Sequence, residues 1–165
     1  MEFNTKKKRE LIELQSTHTT TVVATEGTEN GGKFNATITV TTPSGETKSF
    51  VGSTLPSNIN GLYADGGGYA IINPGTYRLT FHSSNYKGHG APSYHVLTWD
   101  YSGNIPCTRS AYTDTYGKTA DGILIHQAEI NGNWSTGCIT ILGKDNMIEF
   151  SRMLNGQDAI FTLIR

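Results

Sequence analysis

The chain has 165 residues and a formal net charge of −1, with 13 basic and 14 acidic side chains. This length predicts one domain with a sizeable core, and the balanced charge argues against nucleic-acid binding as the main activity. Glycine, threonine, serine and asparagine are abundant, which favours a turn-rich all-β protein. No apolar run approaches membrane-spanning length. The basic run Lys6–Arg9 is followed by a short mixed stretch, so we interpret it as a solvated tail and not as a signal peptide.

The first third of the chain predicts a polar start and then strands. Residues 1–18 are interpreted as a polar tail or linker, and residues 19–165 as one domain. The β-branched stretch Thr19–Thr25 predicts a strand. From Phe34 to Thr41, apolar and polar residues alternate, which is typical of a half-buried strand. A turn at Pro43–Gly45 then leads into a second strand over Glu46–Val51, forming a hairpin.

The middle of the chain predicts three further strands. Tyr69–Ile72 and Thr76–Phe81 flank a Pro-Gly turn, and Tyr94–Asp100 follows a loop over His82–Ser93 that could line a cleft. The third strand places His95 near its centre. His95 is either a polar group of a functional site or an ordinary histidine at the surface or the edge of the core.

Residues Ser102–Asp121 form a long segment without apolar periodicity. A structureless loop of this length in a compact domain is usually functional or mobile, and because it precedes the histidine strand it could fold over the site as a lid. Arg109 and Lys118 are its only cations. Either could bind a substrate carboxylate, or both could simply be solvated.

A histidine and a cysteine lie on two short strand patterns that follow this loop. Ile123 and Ile125 alternate with Leu124 and His126, and Ile139 and Ile141 alternate with Cys138 and Thr140. If the isoleucines face the core, His126 and Cys138 share the opposite face of neighbouring strands. An imidazole beside a thiol can generate a nucleophilic thiolate, and Gly137 would let backbone N–H groups approach a substrate. The alternative is a buried structural thiol near an unrelated histidine.

The C-terminal segment predicts one helix and one strand. Asp145 can cap a helix in which Met147, Phe150 and Leu154 recur at helical spacing, and Asn155-Gly156 ends it. Ala159–Ile164 predicts a final, largely buried strand. The predicted fold is therefore a mainly β sandwich or barrel with one α-helix near the C-terminus. Cys107 and Cys138 are expected to remain unpaired, because one lies in a loop and the other in a motif.

The stretch Ile125-His-Gln127, a short loop and Ser135-Thr-Gly-Cys-Ile-Thr-Ile141 resemble the signature of the L,D-transpeptidase catalytic domain. Asn73–Leu79, Ser93–Trp99 and Asp145–Arg165 are similar to further parts of that domain, in the same order. The resemblance covers roughly residues 65–165. The chain departs from the family at Thr136, where many members have histidine, and at Thr140, where many have arginine or asparagine. Its loop between histidine and cysteine is also shorter than usual.

The resemblance implies a cysteine acyltransferase or peptidase that acts on peptidoglycan stem peptides. The implied catalytic residues are Cys138, His126 and Gly137, and substrate contacts are expected from Ser135, Thr136, His95, Tyr94 and Arg109. It implies no cofactor and no metal. The expected protein is a monomer that acts in the cell envelope, in the periplasm or after secretion.

Two other interpretations stay open. A non-catalytic β module that binds cell wall or glycan, or a phage structural domain, also suits loops rich in tyrosine, tryptophan and asparagine. A sortase-like enzyme would need a catalytic arginine on a strand after the cysteine. Arg152 falls on the predicted helix and Arg165 is the last residue, so this alternative ranks third.

Overall fold

The computed structural model describes residues 18–27, 34–54, 71–109, 119–129 and 137–165, without the side chains of residues 108 and 109. Eight strands close a barrel in the order β1, β11, β5, β6, β9, β10, β3, β2. A smaller sheet of three strands has the order β4, β7, β8. The strands are β1 Thr21–Glu26, β2 Ala36–Thr41, β3 Thr47–Ser53, β4 Ile71–Ile72, β5 Gly75–Ser83, β6 Ser93–Leu97, β7 Ile105–Arg109, β8 Thr119–Ala120, β9 Leu124–Ala128, β10 Ile139–Leu142 and β11 Ala159–Ile164, and the helix α1 spans Lys144–Leu154.

The barrel combines antiparallel hairpins with two parallel contacts. Strand β1 pairs in parallel with β11, and β9 pairs in parallel with β10. The alternation predicted for β2 is confirmed, because Ala36, Ile38 and Val40 are buried along one face of that strand. Tight contact between β3 and β10 depends on Gly52: a Cβ atom there would lie 2.2 Å from the backbone oxygen of Thr140.

One hydrophobic core lies between the barrel interior and α1. The helix contributes Met147, Phe150, Met153 and Leu154, all of them buried. The Phe150 ring meets the rings of Phe50 and Tyr94 edge-on, with centroids 6.0 and 5.8 Å apart. Aromatic contacts of this geometry add to the free energy of burial. The helix thus packs from the core side against β3 and β6, the two strands that flank β9 and β10 in the barrel.

The Arg165 side chain connects the ends of three strands, β1, β3 and β4, at one end of the barrel. The Arg165 guanidinium pairs with the carboxylate of Glu26 and donates to the backbone oxygens of Ile72 and Thr54. Burial lowers the pKa of Arg165 to about 10, so the side chain remains charged at neutral pH. The Thr54 hydroxyl donates to Glu26 and accepts from the side-chain amide of Asn35. This end of the barrel is thus closed by a charged, hydrogen-bonded cluster.

Most predicted elements are present, with shifted ends. The expectation that Ser102–Asp121 is structureless is wrong, because β7 and β8 lie within it; residues 110–118 are outside the described part. Asp145 does not cap α1: the N-cap is Gly143, and Asp145 lies in the first turn, where its charge favours the helix dipole. Asn155 ends the helix in a left-handed conformation, as predicted. Among the described residues, no helix is both long and apolar enough to cross a membrane.

Candidate functional site

The candidate site lies on the outer face of two adjacent parallel strands. Ile139 pairs with Ile125, and Thr140 pairs with His126. Both isoleucines are fully buried, so they face the core, and His126 faces the other way. Cys138 directly precedes β10, and its sulfur lies against the backbone of Gly122 and Leu124 at the start of β9. That the His126 imidazole and the Cys138 sulfur share one face of the sheet stays a prediction.

The Cys138 thiol is half-buried and held by the chain segment at the start of β9. Its sulfur accepts a hydrogen bond from the backbone N–H of Leu124 at 3.4 Å and donates to the oxygen of Gly122 at 3.7 Å. Burial raises the pKa of Cys138, and the Leu124 amide and the positive charge of Lys87 lower it in part. At neutral pH the resting group is therefore the thiol, which needs a base to become a nucleophile.

The His126 side chain is 5% exposed and is fixed by one backbone contact. Its Nδ1 lies 2.7 Å from the backbone oxygen of Gln127. Because a carbonyl oxygen can only accept, Nδ1 carries the proton and Nε2 is left as the acceptor. Burial lowers the pKa of His126, the Gln127 contact opposes that shift, and the charges of Lys87 and His89 lower the pKa further. His126 is thus a neutral base at neutral pH.

A short loop between β5 and β6 covers the histidine. The Tyr86 ring lies 5.1 Å from the His126 ring, centroid to centroid, and its plane is tilted by 34°. The backbone around it is fixed, since Tyr86 N–H donates to Ala91 and Gly90 N–H donates to the side chain of Asn85. The loop therefore lies against the site through Tyr86, a contact that was not predicted; that residues 82–93 line a cleft stays a prediction.

Strand β6 sends its two candidate residues to opposite faces. His95 pairs with Leu124, so it shares the outer face with His126, and its ring contacts that of His82 at 4.4 Å. Tyr94 pairs with Ile125, is fully buried, and bonds the hydroxyl of Ser151. The expected substrate contact by Tyr94 is wrong, because neighbouring residues of a strand point to opposite sides of the sheet.

Of the other predicted site residues, the structure describes Gly137 and the backbone of Arg109. Gly137 is buried and has a φ of 156°, a conformation that side chains rarely adopt. Ser135, Thr136 and Lys118 lie outside the described residues. The Arg109 backbone belongs to β7 and pairs with Ile71 of the smaller sheet, while its side chain is not described. A substrate contact by these residues stays a prediction.

Thr140, where the chain departs from the motif that it resembles, is a neighbour of His126 that was not predicted as a site residue. It is fully buried beside His126, and within the described part of the chain its hydroxyl has no hydrogen-bond partner. A buried hydroxyl in this position can bond a substrate group. No group of three or more histidine, cysteine, aspartate or glutamate side chains that could hold a metal occurs among the described residues.

The remaining cysteine and arginines have other environments. Cys107 is buried in the core, and neither it nor Cys138 forms a disulfide, as predicted. Arg152 pairs with Glu46 and Glu149 on the exposed face of α1. Arg165 is engaged at the barrel end described above. Neither arginine lies on a strand after the cysteine beside the thiol, which weighs against the sortase-like alternative.

The sequence matches no model of a known protein family and no curated protein. The chemical interpretation of the site therefore depends on the geometry of Cys138, His126 and the loop above them, together with the resemblance of the two short motifs.

Proposed function

We propose that the protein is a cysteine acyltransferase of the L,D-transpeptidase type that acts on peptidoglycan stem peptides. The observations that support the proposal are a buried, neutral histidine on the outer face of β9 and a half-buried thiol that directly precedes the adjacent strand β10. Such a pair suits covalent catalysis, because the base activates the nucleophile when the substrate arrives.

In the proposed reaction His126 acts as the base. Nε2 takes the Cys138 proton while the sulfur attacks a peptide carbonyl, and His126 then gives that proton to the leaving amine as the carbon–nitrogen bond breaks. A thioester remains on Cys138. Backbone amides at Gly137 and Cys138 are expected to stabilise the oxyanion, a contribution of ~3 kcal/mol for one donor in other enzymes. An amine or water then attacks the thioester and restores the thiol.

The departures from the family motif bear on the acceptor. At the position of the usual arginine or asparagine stands Thr140, which is buried and uncharged. Fewer fixed charges would then hold the usual donor carboxylates. We therefore expect weak cross-linking and relatively more transfer to water or to small free amino acids.

The test is a mass spectrum of the protein after incubation with muropeptides. An acyl adduct on the peptide that contains Cys138, together with shortened or exchanged muropeptides, is the expected result. Cys138→Ala should abolish both adduct and products, because no other group can replace the nucleophile. Cys107→Ala is the matched control and should retain both. Full activity of Cys138→Ala would remove the mechanism.

One observation favours the rival function, a module that binds glycan. The Arg78 guanidinium lies between two aromatic rings, 4.0 Å from the Trp99 centroid and 4.3 Å from that of Tyr101. Tyr101 is 54% exposed, and exposed aromatic rings beside hydrogen-bonding groups suit sugar stacking. Binding to purified cell wall that Tyr101→Ala removes, with no adduct on Cys138, would favour this function over acyl transfer.

A further inference from the structure

The loop over His126 carries a cation in an unusual backbone position. Lys87 has φ 50° and ψ 27°, the left-handed conformation that glycine adopts more easily than any residue with a side chain. Its neighbours on both sides are fixed: Gly88 N–H donates to the oxygen of Asn85, and His89 N–H donates to the oxygen of Tyr86. A glycine would suit the turn better, so the fold alone gives no reason for a lysine here.

The position of Lys87 places its charge at the edge of the candidate site. The ammonium nitrogen lies 5.4 Å from the centroid of the Tyr86 ring, and that ring contacts the ring of His126. Tyr86 therefore bridges the cation and the imidazole. Lys87 is exposed, so its ammonium group remains available to a ligand that enters from solvent.

The loop itself and strand β6 carry positive charge and no acidic side chain. Residues 82–99 contain Lys87 and three histidines but no aspartate or glutamate. The ammonium group of Lys144 lies close to the backbone of Gly90, at the side of the loop nearest α1. Lys87 lowers the pKa of both Cys138 and His126, so its field reaches both groups. A positive field at a half-buried thiol attracts anions.

We propose that Lys87 binds a carboxylate of the molecule that reacts with Cys138, so that the site selects acyl donors with a free carboxylate near the reacting carbonyl. The inference takes Cys138 as the reactive group of the proposed function. It assigns to Lys87 the recognition that the sequence had suggested for Arg109 or Lys118.

The test uses two alkylating reagents that differ in charge and does not need a peptide substrate. The Cys138 thiolate displaces iodide from either iodoacetate, an anion, or neutral iodoacetamide, and peptide mapping gives the rate for each cysteine. Lys87→Met should lower the ratio of the iodoacetate rate to the iodoacetamide rate at Cys138 by roughly three- to tenfold, as expected for loss of a nearby charge. Lys87→Arg should restore it, and high salt should reduce the ratio in the unaltered protein.

Lys48→Met is the matched control, because the Lys48 ammonium also lies 5.4 Å from an aromatic centroid, that of Phe50. It should leave the ratio unchanged. Cys107 in the same molecules reports any general change in folding. An unchanged ratio at Cys138 in Lys87→Met would overturn the inference. A Lys87-dependent ratio in a protein that forms no adduct with muropeptides would keep the anion site and reject the proposed acyl transfer.

Discussion

At the scale of single residues, the resting protonation states of the site set its chemistry. Burial acts in opposite directions on the two groups, since it raises the pKa of the Cys138 thiol and lowers that of the His126 imidazole. Both shifts favour the neutral thiol and neutral imidazole over an ion pair. His126 is therefore expected to remove the proton as the sulfur attacks, and not before substrate binds.

The pH dependence of the reaction follows from the neutral histidine. Protonation of His126 removes the base, so kcat/KM should fall on the acid side. Because the pKa of His126 is lowered, this fall should be centred below the ordinary value of 6.5. Lys87→Met removes a positive charge that disfavours protonated His126, so the acid limb should move to higher pH in that variant. A pH profile of kcat/KM with muropeptides measures both, and a limb centred above pH 6.5 would contradict the assignment.

The nearby titrating groups have to be considered in the same profile. His89 acts on His126 through its charge, and His82 and His95 contact one another on the same outer face. Burial lowers the pKa of His95, and the charge of His82 lowers it further by a smaller amount. Replacing His95 with asparagine therefore helps to separate its titration from that of His126 in the measured limb.

At the scale of elements, the loop of residues 84–91 depends on a few internal hydrogen bonds. The side-chain oxygen of Asn85 accepts from the Gly90 N–H at 2.6 Å. Asn85→Ala leaves that N–H without its partner and should weaken the loop by about 1 kcal/mol. Hydrogen–deuterium exchange of residues 85–91 should become faster and kcat/KM should fall, while global unfolding changes little.

Asn104→Ala is the comparison for this loop variant. Asn104 is also an exposed asparagine, directly before β7, but only its backbone N–H makes a described hydrogen bond, to the side chain of Ser102. Its replacement should leave both the exchange of residues 85–91 and the activity unchanged. Unaltered exchange in Asn85→Ala would mean that the loop is held by other contacts.

At the scale of the whole molecule, barrel closure limits what can stand at Gly52. An added Cβ there would lie 2.2 Å from the Thr140 oxygen and 2.6 Å from the Ile38 side chain. The backbone atom cannot move without parting β3 from β10. Gly52→Ala should therefore reduce the free energy of unfolding by about 3 kcal/mol, measured by denaturant titration.

Gly103→Ala provides the control for this substitution, because nothing lies within 4 Å of its Cβ position and its φ is not positive. Its unfolding free energy should stay within about 0.5 kcal/mol of the unaltered protein. Equal unfolding free energies of the two alanine variants would contradict this, because β3 and β10 would then accept the added methyl group without loss of stability.

Local pattern determined much of the fold. Alternation in β2 and β9, and the apolar spacing of Met147, Phe150 and Leu154, could be read from the sequence because each depends on one element and one buried face. The same alternation predicted that His126 and Cys138 share a face. It could not support both Tyr94 and His95 as site residues, because neighbouring residues of a strand point to opposite faces of the sheet.

The tertiary structure decided what depends on contacts between distant segments. The sequences of β7 and β8 show too little apolar alternation for a strand to be predicted there. They are strands because their backbones pair with neighbours in the smaller sheet. Strand order and closure at Gly52 arise from pairing between residues far apart in the chain. Tyr86 and Lys87 lie in a loop without any pattern, and only the folding of β5 and β6 next to β9 brings them to His126. The sequence by itself thus predicted which residues are the candidates for the chemistry, and the fold decided which residues surround them.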